Sequence, residues 1–170
     1  MTAVDHDPVE AAQRLAELDG LSALRAIMAG EIPPPPIGVL LGFEPVAVEE
    51  GRVVFAVDPG PQHYNPIGTV HGGLAATLID SATGCAVHST LPAGVGYTSI
   101  DLQVRFVRPI TRDTGRILCE GTVVHRGRRL ATAEARVTAG ERLLAHGTAS
   151  ILILASDART ASTAPPASGS

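Results

Sequence analysis

Residues 65–88 read NPIGTVHGGLAATLIDSATGCAVH, and this stretch decides the fold. Its second half is apolar on nearly every side, which predicts a helix from His71 to His88 that is buried all round. Gly72 and Gly73 open the helix, and the segment Leu91-Pro92 closes it. A single long helix of this kind must be covered by other elements of the protein, because its apolar side chains are not stable in water.

The segments on either side predict the strands of that surface. Residues 43–48 and 52–57 predict a hairpin, and longer strands are expected at about residues 97–107, 115–126, 128–139 and 142–154. Leu102, Val104 and Phe106 alternate with polar residues, which indicates a sheet with one buried face. Gly127 and Gly140 mark tight turns, so antiparallel pairing is expected. This order predicts an α+β hotdog fold, in which a curved antiparallel sheet of about five to six strands wraps a long central helix.

The two ends of the chain lie outside this pattern. Residues 1–36 predict a helix capped by Asp7 and then a proline-rich connector, which pack on the main domain or on a partner subunit. The main domain is expected over residues 37–155. The tail, residues 156–170, consists largely of Ala, Ser, Thr and Pro and is expected to be disordered.

Composition narrows the functional classes. The chain has 170 residues, 45% of them hydrophobic, and a net charge of −4, which favours one globular domain without nucleic-acid binding. No secretory signal is visible, and the longest apolar run is too short for a bilayer, so a cytoplasmic protein with no membrane partner is expected. Cys85 and Cys119 lie in apolar runs and predict buried thiols. His88, His125 and His146 lack the spacing typical of metal ligands, so no metal site is expected.

Asp80 is the one carboxylate within the apolar helix. Burial of an ionised carboxylate costs several kcal/mol unless it is paired, and such groups are enriched at functional sites. A structural role, as a cap of a neighbouring element or as the partner of an arginine, remains the alternative.

The glycines at the helix start suggest the other half of a site. Gly68, Gly72 and Gly73 let the backbone turn sharply and approach a ligand closely. The first N–H groups of a helix lack internal acceptors, and such donors stabilise a developing oxyanion. Gly72 and Asp80 lie about 12 Å apart along a helix axis, whereas a general base acts within about 3 Å of its target. The simplest geometry is a two-fold composite site, in which the helix start of one subunit faces Asp80 of another.

The pattern Asn65-x5-His71-Gly72-Gly73-x6-Asp80 resembles the hotdog-fold acyl-CoA thioesterases of the phenylacetyl-CoA (PaaI-like) and 4-hydroxybenzoyl-CoA type. Residues 99–102, 104–109, 125–129 and 133–135 look like the strands that follow the helix in that family. The likeness spans about residues 38–153.

The resemblance implies roles for the residues of this motif. Gly72 would donate its backbone N–H to the thioester oxygen, and Asn65 would orient that oxygen or the attacking water. His71 would shape the helix start, and Asp80 would act as nucleophile or as general base. Ser99 lies near a position where relatives hold water with a hydroxyl. Relatives with a catalytic glutamate carry a threonine one turn later, where this chain has Gly84.

Further contacts with the substrate are expected at Gly73 and at the entrance, where His63 is either a lining residue or a solvated side chain. Arg126, Arg128 and Arg129 would grip the coenzyme A phosphates or form a solvated charged turn. No cofactor is implied, since coenzyme A belongs to the substrate, and the expected assembly is a homodimer or a dimer of dimers. A non-catalytic acyl-CoA-binding module is the alternative function; a hotdog hydratase would need a different Asp and His arrangement. The acyl group stays open between aryl and aliphatic.

Overall fold

One sheet and one long helix organise the molecule, in a computed structural model that describes residues 6–154. The helices are α1 (Pro8–Ala16), α2 (Gly20–Met28), α3 (Pro36–Leu41) and α4 (Gly72–His88). The strands are β1 (Phe43–Glu49), β2 (Arg52–Val57), β3 (Gly96–Phe106), β4 (Ile117–Arg126), β5 (Leu130–Ala139) and β6 (Arg142–Leu154). Short 3-10 turns occur at Pro61–His63 and Arg112–Thr114. The expected tail, residues 156–170, lies outside the described residues.

The six strands form a single antiparallel sheet in the order β1-β2-β4-β5-β6-β3. Helix α4 crosses this sheet and contacts every strand from β2 to β6. Its residues Leu78, Ile79 and Ala82 are fully buried. A Cβ at Gly121 of β4 would lie 2.4 Å from the backbone of Ala82, so this glycine lets the helix lie directly on the sheet.

Helix α4 is not buried all round, contrary to the prediction. One stripe of small and polar residues is exposed or half-buried along its length: Gly73, Ala76, Thr77, Asp80 and Ser81. Their spacing of three to four residues places them on one face. Asp80 lies on this uncovered face of the helix.

Strand β3 lies at one end of the sheet, and its outer edge has no strand partner within residues 6–154. Leu102 and Phe106 pair in register with the buried residues Ala149 and Ala145 of β6, so they are directed to the helix side as the alternation predicts. They nevertheless remain 36% and 62% exposed. The predicted burial of this face is therefore incomplete in one chain, because α4 does not cover the sheet edge.

The N-terminal segment forms two helices rather than the single helix predicted. Helix α1 begins after Asp7, whose carboxylate accepts a 2.8 Å hydrogen bond from the N–H of Val9, as expected of a cap. The chain then breaks at residues 17–19, where Asp19 caps α2. Helix α2 packs on β1 and α4 of its own chain. The short helix α3 was not predicted; it begins at Pro36, where the fixed φ of proline suits a first helical turn.

Candidate active site

The start of α4 owes its geometry to His71. The His71 side chain caps the helix, since its Nδ1 accepts a 2.8 Å hydrogen bond from the N–H of Gly73. A Cβ on Gly73 would lie 2.8 Å from that same nitrogen, so a larger residue there would displace the imidazole from its capping position. The Gly73 N–H is thereby occupied and is not available as a donor to a ligand. The expected role of His71 in shaping the helix start agrees with this geometry.

Gly72 presents a different kind of N–H. It is the first helical residue, and among residues 6–154 no acceptor contacts its N–H. A Cβ at this position would lie 3.0 Å from the ring of Phe106, so the absent side chain keeps the backbone next to that ring. Gly72 and Phe106 line one cavity of about 450 Å³ together with Asn65 and Thr69. We call this the Gly72 cavity.

The loop before α4 is held by the Asn65 side chain. Asn65 Oδ1 accepts hydrogen bonds from the N–H groups of Ile67 (3.1 Å) and Thr69 (3.3 Å), and its Nδ2 donates to Thr69 Oγ1 at 3.0 Å. Gly68, with φ of 82°, allows the tight turn between them. Asn65 is therefore fixed at the wall of the Gly72 cavity, and Thr69, which the sequence motif did not single out, fixes it there.

Asp80 is exposed rather than buried, which corrects the sequence-based expectation. It lies on the uncovered stripe of α4, where water solvates a carboxylate and the desolvation cost that motivated the prediction does not arise in the single chain. One carboxylate oxygen, Oδ1, accepts a 2.7 Å hydrogen bond from the hydroxyl of Ser99 on β3. Ser99 therefore contacts Asp80 directly, and the second oxygen, Oδ2, has no hydrogen-bond partner in the described chain.

Asp80 and Ser99 line a second cavity of about 310 Å³, which we call the Asp80 cavity. It is lined mainly by apolar and aromatic side chains, and neither Asn65 nor Gly72 reaches it. The structure thus brings the predicted site residues together as two groups, Asn65 with Gly72 and Asp80 with Ser99. In a single chain these groups open into separate cavities, as the helical spacing requires.

His63 is buried rather than solvated, which corrects that alternative. It is 5% exposed. Its Nδ1 accepts from the N–H of Gly60 at 2.9 Å, and its Nε2 lies 3.0 Å from the carbonyl oxygen of Leu41, to which it donates. Both ring nitrogens are occupied, so His63 fastens the loop to the end of α3.

The three predicted arginines line neither cavity, and the two cysteine thiols are not activated. Arg126, Arg128 and Arg129 are exposed at the β4–β5 turn and form no ion pair within residues 6–154. Burial raises the pKa of the Cys85 thiol to about 12, with a further contribution from the charge of Asp80. Burial also raises the pKa of Cys119 to about 12. Neither thiol ionises near neutral pH, so neither is an activated nucleophile.

No group of three or more His, Cys, Asp or Glu side chains in the described part of the chain is arranged to hold a metal ion. No helix there is long and apolar enough to cross a membrane. The aromatic side chains that line the cavities could not be placed from sequence, because alternation assigns a strand face but not its neighbours. They are Phe106 in the Gly72 cavity and Phe43, Phe55 and Tyr97 in the Asp80 cavity.

Comparison with known proteins identifies the core of the chain. The family model of the thioesterase superfamily matches residues 67–146. Human acyl-coenzyme A thioesterase 13 is 31% identical over 104 residues, which cover 60% of this chain and 73% of that protein. A Halobacterium salinarum protein named as a candidate esterase is 44% identical over 72 residues, or 41% of this chain. The match spans 46% of that archaeal relative, about half its length.

Solved structures share the fold. A phenylacetic acid degradation-related protein from Ralstonia eutropha superposes with a TM-score of 0.70 at 25% identity, over 76% of this chain and 98% of that one. A mutant of the phenylacetic acid degradation protein PaaI from Thermus thermophilus gives a TM-score of 0.63 at 26% identity, over 69% and 97%. The expected α+β hotdog fold is confirmed.

Proposed function

Because this chain belongs to the thioesterase superfamily, and is accordingly a thioester hydrolase, we propose that it hydrolyses an acyl-CoA thioester to the free acid and coenzyme A. In the proposed site, Asp80 and Ser99 of one subunit meet Gly72 and Asn65 of a second subunit. The observation that carries the proposal is the Asp80–Ser99 pair at 2.7 Å beside an apolar cavity. It is joined by the N–H of Gly72 at the start of the same helix, which has no acceptor within residues 6–154.

The course of β3 supports a shared site. Ser99 near the start of β3 contacts Asp80, and Phe106 at its end contacts Gly72, so β3 and α4 run in opposite directions past each other. Among residues 6–154 the outer edge of β3 has no partner strand, so its unpaired backbone N–H and C=O groups form a template for strand pairing. The strand also carries exposed apolar side chains. Antiparallel pairing of two copies about a two-fold axis brings the Ser99 end of one strand beside the Phe106 end of the other. That pairing would bring Asp80 towards the Gly72 of the second subunit.

The chemistry then follows from the two groups. The Gly72 N–H, at the positive end of the α4 dipole, donates to the thioester carbonyl oxygen as negative charge develops there. Asp80 Oδ2 either removes a proton from an attacking water or attacks the carbonyl carbon itself, forming an anhydride that water then hydrolyses. In both routes the C–S bond breaks and coenzyme A leaves as the thiolate, which takes up a proton. Ser99 holds the carboxylate in position. We propose that no metal or separate cofactor takes part.

A thiol-release assay across an acyl-CoA panel tests this proposal. We expect the wild-type protein to release coenzyme A. The Asp80→Asn variant should lower kcat by about two to four orders of magnitude, because it removes the base or nucleophile and keeps the shape. Asp80 is exposed, so the free energy of unfolding should change by no more than about 0.5 kcal/mol, measured by urea titration.

Two outcomes contradict the proposal. Wild-type turnover by Asp80→Asn on the best substrate would remove Asp80 from the reaction. Tight binding of acyl-CoA by the wild type in calorimetry, with no hydrolysis of any substrate, would instead favour the non-catalytic binding module.

A further inference from the structure

The Asp80 cavity has two walls of different origin. Its inner wall belongs to the hotdog domain and includes Phe55 of β2 and Gly84 of α4. Its outer wall consists of Leu24 and Ile27 of α2 and Ile37 of α3, with Pro35 between the two helices. These outer residues belong to α2, α3 and the connector between them, which precede the first strand of the sheet. The cavity beside Asp80 is therefore closed by the N-terminal helical segment.

The lining of this cavity suits an apolar group attached to a polar centre. The chain contains three Phe and two Tyr residues, and three of these five line this one cavity: Phe43, Phe55 and Tyr97. The Phe43 and Phe55 rings pack edge to face, with centroids 5.4 Å apart. Asp80 and Ser99 supply the polar end. A body of aromatic and aliphatic side chains with a few polar groups at one point is typical of small-molecule sites.

The outer wall is fixed in place rather than loosely attached. The N–H of Gly20, the first residue of α2, donates to the carbonyl oxygen of Leu91 at 2.9 Å, and the N–H of Gly94 donates to the carbonyl oxygen of Ala16 at 3.0 Å. A Cβ on Gly20 would lie 1.8 Å from the carbonyl oxygen of His88, so the backbones of α2 and α4 touch at this point. Main-chain contacts of this kind hold α2 at one distance from α4 and so define the width of the cavity.

We propose that the acyl group of the substrate occupies the Asp80 cavity and that the outer wall, Leu24, Ile27 and Ile37, limits its length. This inference rests on the proposed function, since it starts from a thioester carbonyl at Asp80. From that carbonyl the acyl group needs an apolar space, and the adjoining cavity provides one. Its volume of about 310 Å³ lies at the small end of ligand pockets, which span roughly 300–1,000 Å³. The substrates are therefore compact apolar acyl groups, either aryl or short to medium aliphatic, and long-chain acyl groups are excluded.

Matched pairs of substitutions test the role of the wall in the full-length protein. Ile27→Trp and Ile37→Trp place bulk into the cavity from α2 and α3. Met28→Trp and Leu40→Trp are the controls, because these residues lie on the same two helices and do not line the cavity, whereas Ile27 and Ile37 do. The measurement is kcat/KM for acetyl-, hexanoyl-, octanoyl-, palmitoyl- and phenylacetyl-CoA.

In the wild type, kcat/KM should fall sharply from octanoyl- to palmitoyl-CoA. The ratio of octanoyl- to acetyl-CoA kcat/KM should fall at least about tenfold in Ile27→Trp and Ile37→Trp, since a lost methylene site changes discrimination by about that much. The controls should keep the wild-type ratio, and Ile37→Ala should shift the preference towards longer chains. The phenylacetyl result separates aryl from aliphatic substrates.

Different results overturn different statements. If the wild type hydrolyses acyl-CoA but all Trp variants keep its chain-length profile, the wall has no such role while the proposed function stands. An equal change of the octanoyl- to acetyl-CoA ratio in Ile37→Trp and Leu40→Trp would likewise show that the wall does not limit the acyl length. If the wild type hydrolyses none of the substrates, both the proposed function and this inference are wrong.

Discussion

The two adjacent glycines at the start of α4 have different structural roles. Gly73 gives its N–H to the His71 cap, and a side chain at Gly73 would displace the imidazole from that position. Gly72 lies against the Phe106 ring and keeps an N–H without an acceptor in the described chain. The motif of one histidine and two glycines is thus explained by a helix cap plus one donor that a ligand can use.

This division predicts that Gly72→Pro abolishes oxyanion stabilisation while α4 stays intact. Proline is well tolerated at the first position of a helix, and His71 already has the extended backbone, with φ −61° and ψ 130°, that precedes a proline. Loss of one oxyanion donor should lower kcat by about 10²–10³-fold. Gly72→Ala is the control, since it introduces the same Cβ beside Phe106 and keeps the N–H. Similar kcat values for the two variants would show that the N–H is not a donor in the reaction.

At this scale the sequence indicated part of the local geometry. The Gly-Gly helix start and the spacing to Asp80 follow from local chain geometry, so they were predictable, whereas the role of His71 at the helix start was implied by the family resemblance. The exposure of Asp80 and the burial of His63 were predicted wrongly, because both depend on where distant elements end: the sheet edge beside Asp80, and the carbonyl of Leu41 at the end of α3 for His63.

Among the secondary-structure elements, β3 carries the proposed dimer contact. Its helix-side residues pair with buried positions of β6, yet Leu102 and Phe106 remain partly exposed because nothing in the described chain covers them. A second copy paired along the free edge would complete their burial, which is the simplest physical reason for apolar side chains there.

Leu102→Glu should therefore weaken the dimer and the activity together. Two added carboxylates near a two-fold axis repel each other, and an unpaired charge in an interface costs several kcal/mol. Light scattering should show mainly monomer for this variant at concentrations where the wild type is dimeric. Val124→Glu on β4 is the control, since Val124 is 60% exposed and lies on a strand that does not adjoin β3. An unchanged mass for Leu102→Glu would rule out pairing through this edge.

The elements themselves were largely predictable from periodicity and turn residues. All six strands and the long helix occur where the pattern indicates, with strand starts shifted by a few residues at β4 and β5. The break between α1 and α2 was missed because the apolar spacing runs through it, although Asp19 is a capping residue. Helix α3 was missed because its proline-rich approach indicated an extended connector.

In the whole molecule, the proposed site residues line two separate cavities, one at the start of α4 and one beside its middle and later turns. Family membership accounts for the hotdog core. The N-terminal helices pack on that core within the same chain and add a wall to the Asp80 cavity. The packing of that wall could not be predicted, because the sequence left open whether residues 1–36 contact their own domain or a partner. We propose that each active site needs residues from two subunits.

Subunit mixing determines whether the two subunits share a site. Asp80→Ala and Gly72→Pro proteins, each inactive alone, are mixed in equal amounts, allowed to exchange subunits, and assayed for thiol release. If the site is shared, each hybrid dimer contains one intact site, and the mixture should regain about a quarter of wild-type activity after random exchange. If exchange is demonstrated by mass spectrometry and the mixture stays inactive, Asp80 and Gly72 of different subunits do not form a shared site.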